Sequence, residues 1–270
     1  MSSQVFEEAS ADSSDDEEYP NSVLGKAHLL FGAFESGAVR LRLTELSRRS
    51  GVPKASAYRL AQELVQWGLL ERSGDSYQLG MRMFELGQRV PVSAVLRRVA
   101  RPLLTDLFAA TRATIHLAVL DGAHVLYVEK VAGEANIHTH SRVGGRLPAA
   151  CTATGKVLLA TCADGEERLR GLAATGWPRL TPRTVGTLDE LRRQLTVIRD
   201  RGYAVEKEEI LLGFSSIAVP VMGVEGAVIA SVSVTVPLSR LVERKLLPDL
   251  HATAAAISRA VGRRAAEPGR

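Results

Sequence analysis

Cysteine is nearly absent from this chain: Cys151 and Cys162 are the two among 270 residues. Thiols so placed build no disulfide framework and no closely spaced zinc-ligand pair. No uncharged apolar run is long enough to span a bilayer. The stretch Ile217–Val224 is apolar but short, and reads as a buried strand. The N-terminus has neither the basic start nor the apolar core of a secretory signal. A cytoplasmic protein without membrane contact is therefore expected. Lys and Arg are missing altogether from residues 1–25, which hold Glu7, Glu8, Asp12, Asp15, Asp16, Glu17 and Glu18 and carry −7.

A hydrophobic content of 46% permits folded cores, and the length suffices for two domains. The formal net charge is +4, so the residues beyond position 25 carry +11. A body that basic suits a polyanionic partner. Residues 1–21, acidic and rich in serine, read as a disordered tail. A solvating leader is the simpler role for it, with competition for the basic body in cis as the alternative.

The densest information lies in Leu41–Gly80, which reads as two short helices around a tight turn, then a small β-hairpin. Leu43 and Leu46 face one way on a first helix that Thr44 is placed to cap. Gly51 stops that helix, and Pro53 suits the first turn of the next, where its missing N–H costs nothing. In the second helix Ala57, Leu60, Ala61, Leu64 and Trp67 recur at spacings of three and four, predicting one buried face. Lys54, Ser56, Tyr58, Arg59, Gln62 and Gln66 lie on the other. Gly68 ends the helix, and Ser73-Gly74-Asp75 turns a hairpin.

Helix, turn, helix and wing is a shape that lies in a DNA major groove, its second helix meeting base edges. Ser56 and the free N–H groups at the helix start suit a phosphate. Lys54 neutralises phosphates, and Arg59 does so or donates two bonds to guanine. Between Arg40 and Arg82 the segment carries +4. Thr44, Lys54, Ser56, Tyr58, Arg59, Gln62, Arg72 and Ser73 are the candidate DNA-binding residues. The bland alternative is an ordinary helical hairpin with a solvated charged face.

Ser22–Gly37 predicts a helix with Val23, Ala27, Leu30 and Phe34 on one stripe, completing a three-helix unit. Met81 to about Thr111 is helical again, divided by Pro91 into a linker helix and the first helix of a second domain. Beyond it the pattern changes. Thr114–Leu120 alternates, Asp121-Gly122 turns, and Val125–Val131 returns as a hairpin. Asn136–Ser141, Tyr203–Glu206, Ser216–Met222 and Ala227–Val236 also read as strands. Helices are expected at Gly155–Thr161, from a capping box at Thr187–Glu190 to Arg201, and near Leu246–Val261. Antiparallel strands flanked by helices make an α+β domain.

Taken together, Pro53–Leu60 (PKASAYRL), Tyr77–Gly80 (YQLG), Gly144–Ala160 (GGRLPAACTATGKVLLA), Arg201–Glu209 (RGYAVEKEE), Ser216–Val221 (SIAVPV) and Ser231–Pro237 (SVSVTVP) resemble the IclR family of bacterial transcription regulators. The resemblance runs from Ser22 to about Gly262. It implies an α+β chain with a winged helix-turn-helix at 22–80, a linker helix at 81–95, and at 96–265 a GAF-like effector-binding domain of antiparallel strands with flanking helices. It implies homodimers or homotetramers on a palindromic or pseudopalindromic operator, and a small-molecule effector such as an organic acid or aromatic metabolite. Repression is the expected mode. Two departures stand out: Ala55-Ser56-Ala57 replaces a Ser-Thr-Val-like step, and Ala149-Ala150 replaces a bulkier apolar residue and a His.

Carried over from the resemblance, the effector site comprises Leu147, Ala149, Glu206, Phe214, Ser216, Ile217, Ser233 and Thr235. Independently, Ser233 and Thr235 alternate with Val232, Val234 and Val236, so their hydroxyls share one strand face. Buried hydroxyls need partners, which a small polar ligand supplies as well as backbone does. Glu206, if it lines a pocket, repels a carboxylate and favours a hydroxyl or amine unless protonated. Gly155-Lys156 is not a phosphate loop, since Ala150 stands at the upstream glycine position and Val157 where Ser or Thr holds magnesium. His138 and His140 share a strand face, and a metal site there needs a third ligand such as Cys151 or His116. No metal, cofactor or catalytic set is expected. The rival readings are a small-molecule enzyme with a DNA-tethering domain and a non-specific DNA binder.

Overall fold

A computed structural model describes residues 22–35, 37–133, 141–162, 165–174 and 177–265. The chain divides into two compact units between Ala94 and Val95. Residues 1–21 lie outside the described residues, as does the expected strand Asn136–Ser141 apart from Ser141 itself.

In the first unit, Ser22 accepts a hydrogen bond from the Gly25 N–H (3.0 Å) and starts α1, Val23–Gly32. The helix stops five residues before Gly37, which turns the chain at φ +85°. Leu30 and Phe34 are buried as expected, but Val23 is 64% exposed because the first turn outruns the small core. Strand β1, Leu41–Arg42, runs directly into α2, Leu43–Ser50, whose N-cap is Arg42 with no side-chain cap bond. Thr44 is thus inside the first turn and exposed, not a cap. Pairing of β1 with the wing fixes where the helix begins.

Gly51, left-handed at φ +67°, ends α2. Pro53 is the N-cap of α3, Lys54–Gln66, one position before the first-turn place expected, and its carbonyl accepts from the Ala57 N–H (2.9 Å). Ala57, Leu60, Ala61 and Leu64 are buried against Leu30, Leu46 and Leu70. Trp67, expected among them, is 65% exposed. It is the C-cap of α3, where Gly68 (φ +71°) reverses the chain: Gly68 N–H donates to the Val65 carbonyl and Leu69 N–H to that of Leu64. That glycine-terminated cap turns the last residue out of the core. Strands β2 (Leu70–Ser73) and β3 (Ser76–Leu79) form the wing around Gly74-Asp75, and the sheet order is β1-β3-β2. Helix α4, Met81–Gly87, buries none of its residues, and α5, Pro91–Thr111, carries the chain into the second unit.

That unit is built on a six-stranded antiparallel sheet: β4 (Thr114–Asp121), β5 (His124–Val131), β6 (Arg146–Pro148), β7 (Ala204–Lys207), β8 (Phe214–Met222) and β9 (Val228–Pro237). Its order is β6-β5-β4-β9-β8-β7. Alternation splits each strand between two cores. Ile115, Leu117, Ile217, Val219, Val232 and Val234 pack against Leu96 and Leu104 of α5 and Leu250 and Ile257 of α9, Glu243–Ala265. Ala118 and Ala218 face the other way, towards α6 (Ala153–Thr161), α7 (Gly165–Ala174) and α8 (Leu188–Arg201).

Thr152 starts α6 by accepting from the Gly155 N–H (2.9 Å). Only half of the expected capping box forms at α8. Thr187 accepts from the Glu190 N–H, but the Glu190 carboxylate accepts from Gly186 instead of Thr187. Strand β6 and helix α7 were not foreseen in the sequence. Among the described residues no helix is long and apolar enough to cross a membrane.

Candidate functional site

In the first unit the polar side of α3 is open to solvent. Lys54 and Arg59 are exposed and Tyr58 is 47% exposed, opposite the face that packs Ala57, Leu60, Ala61 and Leu64. Ser56 is half-buried near the start of the helix. Gln62 donates to the Tyr77 hydroxyl (3.0 Å), which ties the helix to the wing. Arg72 is exposed on β2, where its Nε donates to the Gly74 carbonyl (3.0 Å), and half-buried Ser73 ends that strand. Thr44 is exposed at the start of α2.

Most carboxylates nearby are already engaged. Glu45 pairs with Arg49, Asp75 with Arg42 and Glu85 with Arg82. Among the described residues Arg48, Lys54 and Arg59 enter no ion pair, so they present free charge to a polyanion.

The second unit encloses a cavity on the α6 side of its sheet, with about 50 Å³ open to the centre of a water-sized sphere. Strand register sets its polar floor. Glu206, Ser216 and Thr235 lie side by side across β7, β8 and β9, and His116 lies beside Ser233 across β4 and β9. The Ser216 and Thr235 hydroxyls are hydrogen-bonded at 2.9 Å. Tyr127 of β5, Ser141, and Thr152, Ala153 and Thr154 at the start of α6 add polar groups. Leu147 of β6, Ile210, Leu211 and Phe214 supply the apolar part.

Burial sets the proton states. The Glu206 carboxyl is pushed up to about 7 by desolvation, although its oxygen accepts from the backbone N–H groups of Glu209 (2.5 Å) and Ile210 (3.3 Å). His116 is pushed down to about 3, first by burial and then by the Lys130 charge, so its ring is neutral at neutral pH. Its Nε2 lies 2.6 Å from the Ser141 hydroxyl, and its ring centroid 4.9 Å from that of Tyr127. Burial also raises the Tyr127 phenol, which stays protonated. A serine beside an imidazole is the start of a nucleophile–base pair, but so weak a base serves better as a hydrogen-bonding group. The Thr154 hydroxyl, close to that of Tyr127 and 2% exposed, makes no well-aligned hydrogen bond among the described residues.

Of the residues expected in the effector site, the structure brings Leu147, Glu206, Phe214, Ser216, Ser233 and Thr235 together around this cavity. Ala149 and Ile217 are not among its lining. Ala149 is fully buried among α6 and α8 side chains, in a tight turn packed against Gly155. Ile217 follows Ser216 on β8, so alternation sends it into the α5/α9 core. His116, Tyr127, Ser141, Thr152, Ala153, Thr154, Ile210 and Leu211 were missed as cavity residues. The alternation of β4 carried the signal for His116, whereas Ser141 and the α6 entry reach the cavity only through the tertiary fold.

Behind the cavity Lys156, fully buried, pairs with Glu209, whose other oxygen accepts from the Val185 N–H (3.2 Å). The lysine is thus part of a core ion pair. Cys151 is buried and its thiol is pushed up to about 12 by desolvation, which leaves it a poor nucleophile. His138 and His140 lie outside the described residues, and no group of three metal-ligating side chains occurs among those described.

Residues 23–74 match the family model described as the IclR helix-turn-helix domain, and residues 88–259 the one described as bacterial transcriptional regulator IclR C-terminal. The chain is 37% identical to the HTH-type transcriptional regulator KdgR of Dickeya chrysanthemi over 225 residues, 82% of this chain and 73% of that protein. Identity to the HTH-type transcriptional regulator XynR of Escherichia coli K12 is 34% over 243 residues, covering 88% and 96%. Among solved structures, an IclR homolog from Microbacterium hydrocarbonoxydans, complexed with 4-hydroxybenzoate, superposes with a TM-score of 0.82 at 31% identity, covering 90% of this chain and all of that one. With both halves matched in order along one chain, this protein belongs to the IclR family and is a helix-turn-helix transcription regulator.

Proposed function

We propose that α3 enters the major groove of an operator, and that the cavity of the second unit takes a small hydroxylated organic acid that sets operator affinity. The cavity with its polar floor, set beside the apolar cores of the second unit, carries the effector half of this reading. The first turn of α6 offers backbone N–H groups and the Thr154 hydroxyl, which lies close to that of Tyr127, to a carboxylate. Glu206, Ser216 and Thr235 favour a hydroxyl, while Leu147, Leu211 and Phe214 suit a short chain or ring edge. The Microbacterium neighbour, which holds 4-hydroxybenzoate, supports the same class.

Size narrows the choice. An apolar cavity of about 150 Å³ holds benzene, so the 50 Å³ here takes a short hydroxy acid only as side chains such as Leu211 and Phe214 swing aside, and a ring only with a larger movement. Two α3 helices reading a palindrome require two copies of the chain, spaced about one helical turn apart on DNA. A ligand that alters that spacing alters affinity. Relatives include a repressor, YiaJ of Escherichia coli, and an activator of Acinetobacter baylyi, so the direction of control is read from transcription with and without ligand.

The test is a gel-shift titration on the DNA upstream of the protein's own gene, with random competitor, for the native chain and Arg59→Ala. Short 2-hydroxy acids and 4-hydroxybenzoate are then titrated calorimetrically into the protein and added to the complex. Competitor-resistant binding lost in the variant, and shifted by a ligand that binds, is the expected result. Binding no tighter than to random DNA, with no heat from any acid, would sink the reading.

A further inference from the structure

The free charge on α3 and the acidic residues before position 22 belong to one chain and are opposite in sign. Within residues 1–21 the acids Asp12, Asp15, Asp16, Glu17 and Glu18 fall inside seven positions, and no Lys or Arg accompanies them. In the folded first unit Lys54 and Arg59 are exposed and enter no ion pair among the described residues; Glu45, Asp75 and Glu85 are paired with Arg49, Arg42 and Arg82, and Glu63, one helical turn beyond Arg59, is exposed and paired with neither. We infer that the acidic segment 12–18 occupies the basic face of α3 in cis, as a substitute for DNA phosphates, and is displaced when DNA binds.

Reach permits it. The segment ends four residues before Ser22, the cap of α1. Helix α1, with ten residues, is about 15 Å long, and it packs in the same core as α3 through Leu30, with Phe34 just beyond its end. Ten residues of extended chain cover about 33 Å, more than the length of that helix. A tether so short holds its charges at an effective concentration of order millimolar. An intrinsic affinity too weak to matter between separate molecules then occupies the face for much of the time.

The competitor resembles the backbone and not the bases, so its effect is sequence-blind. It lowers operator and random-DNA affinity by the same factor, leaving their ratio unchanged while reducing the protein held on bulk DNA. It also changes the salt dependence. Cations already matched by the tail release fewer counterions when DNA takes its place, so log Kd varies less steeply with log salt in the intact chain. The inference rests on DNA binding by α3, and the experiment separates the two.

Fluorescence anisotropy on a random 24-bp duplex and on the upstream DNA compares the full chain, a chain lacking residues 1–21, and a full-length chain with its seven acids changed to Asn or Gln. Both altered chains are expected to bind each duplex about three- to tenfold more tightly near 50 mM salt, with a steeper salt slope and convergence near 0.3 M. A full-length chain with a scrambled tail of the same composition should behave as the native one. Equal affinities and slopes for all chains overturn the inference, as does tighter binding that survives high salt. Inhibition that strengthens with protein concentration would seat the tail on a second copy and overturn the intramolecular form. Absence of DNA binding by every chain would instead remove the reading on which the inference stands.

Discussion

Glu206→Gln should change how stability depends on pH and leave the fold in place. Glu206 is 3% exposed, and burial raises its carboxyl from 4.5 to about 7. In the unfolded chain it ionises near its ordinary value, so between these limits the folded state holds the extra proton. Stability from this group is full below about 4.5 and is lost as pH rises through about 7. A raise of some 2.5 pKa units corresponds to about 3 kcal/mol, reached above pH 7. The amide keeps an oxygen for the Glu209 and Ile210 N–H groups and an NH₂ for Ser216, and does not titrate. Urea unfolding of the native protein and the Glu206→Gln variant from pH 4.5 to 8 is the assay. The variant should gain on the native protein as pH rises, by about 3 kcal/mol at pH 8 over its margin at pH 4.5, or several degrees in Tm for a unit of this size. A stability difference that stays constant with pH would refute the burial argument.

Three further substitutions test packing away from the cavity floor. Lys156→Met strands the Glu209 carboxylate in the core and should cost about 3–5 kcal/mol in denaturant unfolding, most of it restored by adding Glu209→Gln; a double variant as unstable as the single would contradict this. Gly80→Ala places a Cβ 2.0 Å from the Gly68 carbonyl oxygen, backbone against backbone, so the first unit should lose about 3 kcal/mol or more and its DNA affinity with it. Gly32→Ala meets nothing within 4 Å and should shift the same melting curve by no more than about 1 kcal/mol.

The buried stripe of α3 was legible because four apolar residues at helical spacing have one place to go. Trp67 broke the rule for a tertiary reason: Gly68 reverses the chain just beyond it, so helical phase no longer says what it faces. Thr44 has the chemistry of a cap, but β1 pairs with β3 and delivers the backbone to α2 two residues earlier. In the second unit, Ser233 and Thr235 could be read from alternation, and by the same rule Ser216 and Ile217 cannot both face the cavity. His116 alternates as clearly with Ile115 and Leu117. Thr152 and Thr154 are also cap chemistry in the sequence, and become cavity chemistry only when α6 is laid across the sheet. In the sequence Ser141 reads only as the last residue of an expected strand, and it lines the cavity through the tertiary fold.

Strand β9 makes the strongest case that fold and site are one design, because a single alternation writes both. Val232, Val234 and Val236 pack against α5 and α9, while Ser233 and Thr235 face the cavity. Stability and ligand binding should therefore separate at neighbouring positions. Val234 is fully buried, and cutting it to Ala removes two methyl groups and leaves a void, a loss of about 2–3 kcal/mol. The cavity side chains keep their register, so a ligand that binds the native protein should bind this variant with nearly its original affinity. Ser233→Ala removes one hydroxyl from a surface that already adjoins open space, and stability should change by less than about 1 kcal/mol. Ligand affinity should fall about fivefold, the effect of one net hydrogen bond. Calorimetric titration and urea unfolding on the two variants give four numbers. If Val234→Ala weakened ligand as much as it weakened the fold, or Ser233→Ala unfolded the unit and spared the ligand, the two faces would not be independent.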